Sequence, residues 1–239
     1  MQAPKTTRVR FRPAYRVVSS RFPPVGVFDA IADPADIAAL HELESMTNPR
    51  MRDELGAIEL VPPKRRIAGP GTTPIMASFT HLNPEGSRFT PGWFGAYYCA
   101  REQQTAVTET VFHKSRFLRA TREPACVLDM RCYLGDVDGR FHDVRGGYPD
   151  LHVPDSYAAS QRFAVELREA DSNGIVYDSV RAPGGTCLAA FHPDMLKPVR
   201  QGPHLQYHWD GERIARVTEA RIVPFQPRPR PPRAGASPR

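Results

Sequence analysis

The chain has 239 residues, of which 41% are hydrophobic and 24% charged, the composition of a globular domain with one sizeable core. No apolar run approaches the roughly 20 residues needed to span a bilayer, and MQAPKTTRVRFRP lacks the apolar centre of a signal peptide, so a cytoplasmic protein without membrane attachment is expected. The net charge of +6 is misplaced for a nucleic-acid-binding face: residues 1–16 carry +5, residues 226–239 carry +4, and the remainder carries −3.

Taken in chain order, residues 1–13 read as a flexible basic N-terminus and Tyr15 to Val18 as a first strand. Asp33-Pro34 is a helix start, an N-cap acid followed by proline at the first helical position. Ile37, Leu40, Leu43, Glu44 and Met46 then trace a short amphipathic helix, which Asn48-Pro49 ends. Residues 61–74, rich in Pro and Gly, read as a long surface loop, and Ile75 to Thr80 as a strand. Phe94 to Ala100 is an apolar-aromatic run of strand length, and from Thr105 the periodicity becomes helical.

Further along, Cys126 to Tyr133 reads as a strand and Asp138-Gly139 as a hairpin signal. Asp155-Ser156 caps a predicted helix over 157–170, with Phe163, Ala164, Leu167 and Ala170 as its buried stripe. Strands follow at Ile175 to Tyr177 and Leu188 to Phe191, then a hairpin at Asp210-Gly211. Residues 226–239, QPRPRPPRAGASPR, cannot build a core and read as a disordered tail. Strands outnumber helices without βαβ alternation, which is an α+β pattern.

The cysteines Cys99, Cys126, Cys132 and Cys187 show no C-x-x-C spacing, and His204 and His208 lie ahead of the Asp210-Gly211 hairpin turn rather than on a zincin helix, so no metal site is expected. Nucleotide-binding G-x-G-x-x-G and P-loop patterns and the hydrolase G-x-S-x-G elbow are also missing. What stands out is an ordered set. Arg88 follows a glycine turn, Tyr98 lies ten residues on in the apolar run, and Glu109 lies eleven further in a helix start otherwise made of Thr105, Ala106, Val107 and Val111. Ser179 comes later, at the end of a strand and ahead of Arg181 and Pro183-Gly184-Gly185. A planar cation, a phenol, a carboxylate and a hydroxyl suit a ligand with phosphates, a flat ring and a ribose. Each residue alone is as well explained by surface solvation or core packing.

The order Arg88, Tyr98, Glu109, Ser179 resembles the RES-domain family, the toxin halves of bacterial toxin–antitoxin pairs. Supporting pieces are Tyr15-Arg16-Val17, Tyr97-Tyr98-Cys99-Ala100, Thr105-Ala106-x-x-Glu109 and Gly174-Ile175-x-Tyr177-x-Ser179-x-Arg181. This chain departs from many members in having Gly86-Ser87-Arg88-Phe89-Thr90 where they carry Gly-Gly-Arg-Trp-Asn. The resemblance implies a RES domain over 14–225. Its fold would be like that of ADP-ribosyltransferases, a mixed β core with a few short helices around an NAD cleft. The implied activity is cleavage of the nicotinamide–ribose bond by phosphorolysis or hydrolysis. The alternatives are ADP-ribosylation of a protein and a non-catalytic nucleotide-binding module.

On this resemblance Arg88, Tyr98 and Glu109 are catalytic, while Arg16, Arg88, Tyr98 and Ser179 contact NAD. NAD is the substrate, inorganic phosphate the co-substrate, and no resident cofactor is needed. The implied partner is a cognate helix-turn-helix antitoxin. Direct nucleic-acid binding is not expected.

Overall fold

The computed structural model describes residues 4–20, 26–31, 33–37 and 55–221. Seven strands form one mixed sheet: β1 (Thr6–Ser19), β2 (Tyr97–Ala100), β3 (Cys126–Asp143), β4 (Gly174–Asp178), β5 (Thr186–Ala190), β6 (Arg200–Trp209) and β7 (Ile214–Ala220). Their order is β1-β2-β5-β4-β3-β6-β7, and β1 also pairs with β3. The first five strands therefore close on themselves, while the β6–β7 hairpin continues the sheet from the first half of β3. Only β3 and β4 run parallel, which bears out an α+β fold with a mixed sheet.

Alternation along the strands builds two apolar layers, because successive side chains point to opposite faces. Tyr97, Cys99, Val176, Leu188 and Ala190 enter one layer, and Ala100, Ile175, Tyr177, Cys187 and Ala189 enter the other. Helices α1 (Val27–Ala30) and α2 (Thr73–Thr80) lie on the first face, and α3 (Gln103–Ala120) and α4 (Ala158–Glu169) cover the second. Burial on both sides explains why the central strands read as short continuous apolar runs.

Several expectations need correction. The N-terminus is not loose from residue 4: β1 begins at Thr6, opposite His142, and pairs along most of its length with β3. Arg8, Arg10 and Arg12 all gather on the Asp138 carboxylate at 2.8–3.3 Å, so the basic cluster is tied to the sheet. The same contacts occupy the predicted hairpin at Asp138-Gly139. Gly139 pairs with Val9 inside an unbroken β3, since a long partner strand outweighs a local turn preference. Pro13 is accommodated because it falls where the β1–β3 register shifts.

Ile75 to Thr80 is helix, not strand. The run TPIMASFT places Ile75, Met76, Phe79 and Thr80 on one buried face, with proline in the first turn. Asp29 Oδ1 accepts the Thr72 and Thr73 N–H groups at 3.1 and 2.7 Å and caps the helix from another element. At Asp33, Oδ1 accepts the Ala35 N–H at 2.8 Å as a cap would. The rest of that predicted helix, with Leu40, Leu43, Glu44 and Met46, lies outside the described residues, as does the tail over 226–239.

Within the Pro-rich 61–74 segment, Arg65 makes it less of a loop than expected. Its guanidinium pairs with Asp194 at 2.9 Å and Asp171 at 3.0 Å. Beside them His192 is only 2% exposed, and Arg168 Nη1 lies 2.9 Å from its Nδ1. Burial, then the charges of Arg168 and Arg65, push His192 down to about 4. Between that value and its ordinary one near 6.5 the unfolded chain binds a proton that the folded chain does not. Its contribution is therefore present above about pH 6.5 and is lost as pH falls towards 4, on the order of 2 kcal/mol. Urea unfolding at pH 7 and near pH 4.5 checks this. His192→Asn should narrow the difference between the two, and an unchanged difference would reject the assignment.

Candidate functional site

Arg88 sits at the tip of a tight turn. Gly86, at φ +70°, adopts a left-handed conformation, and a Cβ there would come within 2.3 Å of the Thr90 carbonyl. Ser87 and Thr90 bond to each other's backbone, leaving Arg88 and Phe89 at the apex. Gln161 of α4 donates to both flanking carbonyls and fastens the turn to the helix.

The apex turns inward. Arg88 is 8% exposed, and its Nη1 donates to the Leu151 and Val153 carbonyls at 3.1 and 3.0 Å. The guanidinium also lies 4.8 Å from the Tyr157 ring centroid. Rather than waving on a loop, Arg88 is a strut between the turn and residues 151–157. No hydrogen bond engages its Nε and Nη2 among the described residues, so part of the fork stays available.

Tyr98, from β2, is tied to the same turn. Its hydroxyl accepts the Phe89 N–H at 3.0 Å and lies 3.4 Å from Thr90 Oγ1. Burial pushes the phenol up to about 12, against the opposing pull of Thr90, the Phe89 N–H and the Arg88 charge. Tyr98 is therefore a neutral hydrogen-bonding wall at physiological pH.

Glu109 and Ser179 meet directly. Ser179 follows β4, and its Oγ accepts N–H groups from Arg181 at 3.3 Å and Ala182 at 2.9 Å. With its acceptor capacity used this way, the single hydroxyl proton goes to Glu109 Oε1 at 2.6 Å. Glu109 is half-buried on α3, and its Oε2 has no hydrogen bond among the described residues. The meeting depends on Gly185, whose carbonyl accepts the Ser179 N–H. A Cβ on Gly185 would approach Thr105 Oγ1 to 2.6 Å, so no larger residue lets this loop lie against the first turn of α3.

These groups share one electrostatic neighbourhood. Tyr177 lies above its ordinary pKa through burial first, and it feels the charges of both Glu109 and Arg88. His113, one turn beyond Glu109, lies below its ordinary value through desolvation and the charges of Arg181, Arg116 and Arg88, with Glu109 opposing. Arg181 stacks 3.4 Å from the Phe112 ring centroid. His113 thus feels three guanidinium charges against one carboxylate, a positive field that favours an anionic ligand.

A cavity of about 960 Å³ adjoins this cluster, meeting it at Ser87, Thr90 and Tyr98. Tyr98 and Thr90 line it, while Glu109 and Ser179 do not. Arg16 lies on the cavity side. Its Nη1 donates to the Tyr98 carbonyl at 3.0 Å, and its guanidinium stacks 4.7 Å from the Tyr97 ring centroid. The fold thus brings Arg88, Tyr98, Glu109 and Ser179 together and sets Arg16 in the adjoining cavity.

Tyr177 and Thr90 fall within the motifs that carry the resemblance, but sequence gives neither of them, nor Phe112, a role in the site. Arg181 was visible in the Ser179-x-Arg181 element, though not its stacking on Phe112. No group of three or more His, Cys, Asp or Glu able to hold a metal occurs among the described residues. All four cysteines are free thiols.

The chain is similar to known proteins in family, in sequence and in shape. A family model, the RES domain, matches residues 63–210. The Uncharacterized protein y4oC of Sinorhizobium fredii (strain NBRC 101917 / NGR234) is 34% identical over 203 residues, 84% of either chain. In shape the chain is similar to a chain in the crystal structure of the M. tuberculosis MbcT-MbcA toxin-antitoxin complex. That likeness has a TM-score of 0.43 at 15% identity, and covers 86% of this chain and 87% of that one.

Proposed function

This chain belongs to the RES-domain family, and on that footing we propose that it is an NAD-consuming toxin that cleaves the nicotinamide–ribose bond, with inorganic phosphate as acceptor and water as the alternative. The observation that carries this reading is the Ser179–Glu109 hydrogen bond of 2.6 Å, which aims one carboxylate oxygen and leaves the other for a ligand.

Breaking the bond sends its electron pair out on nicotinamide and leaves positive charge on the ribose. A carboxylate held beside that ribose stabilises the charge as it develops, and a fixed group does so without reorganising. A phosphate oxygen then forms the new bond to the same carbon, giving a ribosyl phosphate and neutral nicotinamide. The available side of Arg88 suits the incoming phosphate or the NAD diphosphate, and Tyr98 forms a neutral wall for the nicotinamide ring. A buried Tyr98 hydroxyl already occupied by Phe89 and Thr90 favours shape over proton transfer for that residue.

A cognate helix-turn-helix antitoxin is part of the same proposal, as is a cytoplasmic site of action. No helix among the described residues is long and apolar enough to cross a membrane. The test is to incubate the chain, freed of any bound partner, with NAD, with and without inorganic phosphate. Nicotinamide release is followed and the sugar product is identified by mass. Faster release with phosphate and a phosphorylated ADP-ribose product are expected. Equal rates with unphosphorylated ADP-ribose would make water the acceptor, and unchanged NAD after prolonged incubation would sink the proposal.

A further inference from the structure

The cavity beside Tyr98 contains a feature that none of the groups above uses. Arg16 and Arg131 stand on adjacent strands with Arg16 opposite Tyr133 and Val18 opposite Arg131, so the two arginines are diagonal neighbours on one sheet face. Both line the cavity. Neither makes an ion pair among the described residues, and the Arg131 side chain makes no hydrogen bond there either. The Nε of each is buried without a partner. Two half-buried guanidinium groups on neighbouring positions repel each other, and their Nε groups have given up water with no hydrogen bond in return.

An anion between them removes both costs. Among the described residues that line the cavity the one acid, Asp29, is turned to other work, since its Oδ1 caps α2. Tyr133 and Val18 on the sheet side and Pro74 and Ala77 on the α2 side supply apolar wall, while Ser78, Asn83, Thr90 and Gln201 add uncharged polar groups. The site thus combines paired cations with apolar and uncharged polar walls, in a volume of about 960 Å³ suited to a ligand of nucleotide size.

We infer that this cavity binds a nucleoside diphosphate, its diphosphate bridging Arg16 and Arg131 and its base lying against Tyr133. Arg131 is the new element. The identification of this ligand with the ADP half of NAD rests on the function proposed above. The binding of a nucleoside diphosphate does not. Planar forks on neighbouring strands match the oxygens of two linked phosphates better than a single phosphate, and they do so without loop rearrangement.

The probe is ADP, titrated calorimetrically into the whole chain, with adenosine as the uncharged control. ADP should bind, and adenosine at least about tenfold more weakly, the effect of losing charge-assisted hydrogen bonds. Arg131→Met should weaken ADP about tenfold or more and leave adenosine unchanged, while Arg131→Lys should recover part of the loss. Inorganic pyrophosphate should displace ADP from the unmutated chain, a measurement that holds even where a variant folds poorly.

In NAD consumption Arg131→Met should raise KM about tenfold and change kcat little, as expected of a residue remote from the broken bond. ADP binding that ignores both pyrophosphate and Arg131→Met would overturn the inference, and NAD turnover with an unaltered KM in that variant would overturn the identification with the ADP half of NAD. If the unmutated chain leaves NAD intact yet binds ADP through Arg131, the proposed reaction falls and this site stands.

Discussion

Glu109→Gln is expected to reduce NAD consumption by about a thousandfold or more, with nicotinamide release as the measurement. Glutamine keeps the size of the side chain, and its carbonyl oxygen can still accept the Ser179 hydroxyl proton. Only the negative charge is lost. The charge is what a cationic ribose requires, and no other carboxylate is shown to face the Arg88, Tyr98 and Ser179 groups. Replacing a charge-assisted hydrogen bond by a neutral one at a half-buried position costs stability only about 1 kcal/mol, or a few degrees in Tm. Glu109→Gln should therefore stay folded, melting only a few degrees below the unmutated chain, and fail to turn over. Turnover at the original rate would reject the carboxylate's role, and ADP binding should be untouched in either case.

The second large effect concerns Arg88, where function and architecture coincide. Arg88→Met removes the donor that satisfies the Leu151 and Val153 carbonyls and the cation above Tyr157. Stranding two carbonyls and losing that stacking should cost about 2–4 kcal/mol, a fall of roughly 5–10 °C in Tm. Turnover should fall by at least about a hundredfold, because the 151–157 segment loses its anchor and the phosphate side loses a cation. Arg88→Lys should rescue neither property well, since a point charge cannot bridge two carbonyls and present a free edge at once. A melting temperature unchanged in Arg88→Met, read by calorimetry, would show that the strut is unimportant.

Both expectations rest on geometry that spacing only partly announces. Arg88, Tyr98, Glu109 and Ser179 are visible in sequence as an ordered set, because a turn, a strand, a helix start and a strand end each carry local signals. Their partners are another matter. Arg88 reads as a surface arginine until residues 151–153 fold back to receive it from over sixty positions away. Ser179 reads as a ligand contact, yet its hydroxyl proton goes to Glu109, seventy residues earlier. Arg131 carries no signal at all, since a charged residue in a strand is ordinarily solvated. Only the β1–β3 register sets it beside Arg16.

The same division runs through the fold. The helix over 158–169, the strands at 174–178 and 186–190, and the turn between β6 and β7 follow from periodicity and turn residues acting over a few positions. Where a local signal was ambiguous, the rest of the molecule arbitrated. TPIMASFT becomes a helix because Asp29 caps it and one face meets the core. Asp138-Gly139 stays extended because β1 lies alongside it and supplies three arginines to the aspartate. The amino-acid order thus specifies which chemical groups the chain owns and the local segments that carry them. Long-range pairing decides which of those groups face one another, because hydrogen bonds, charge pairs and burial act through space between residues that are distant in the chain.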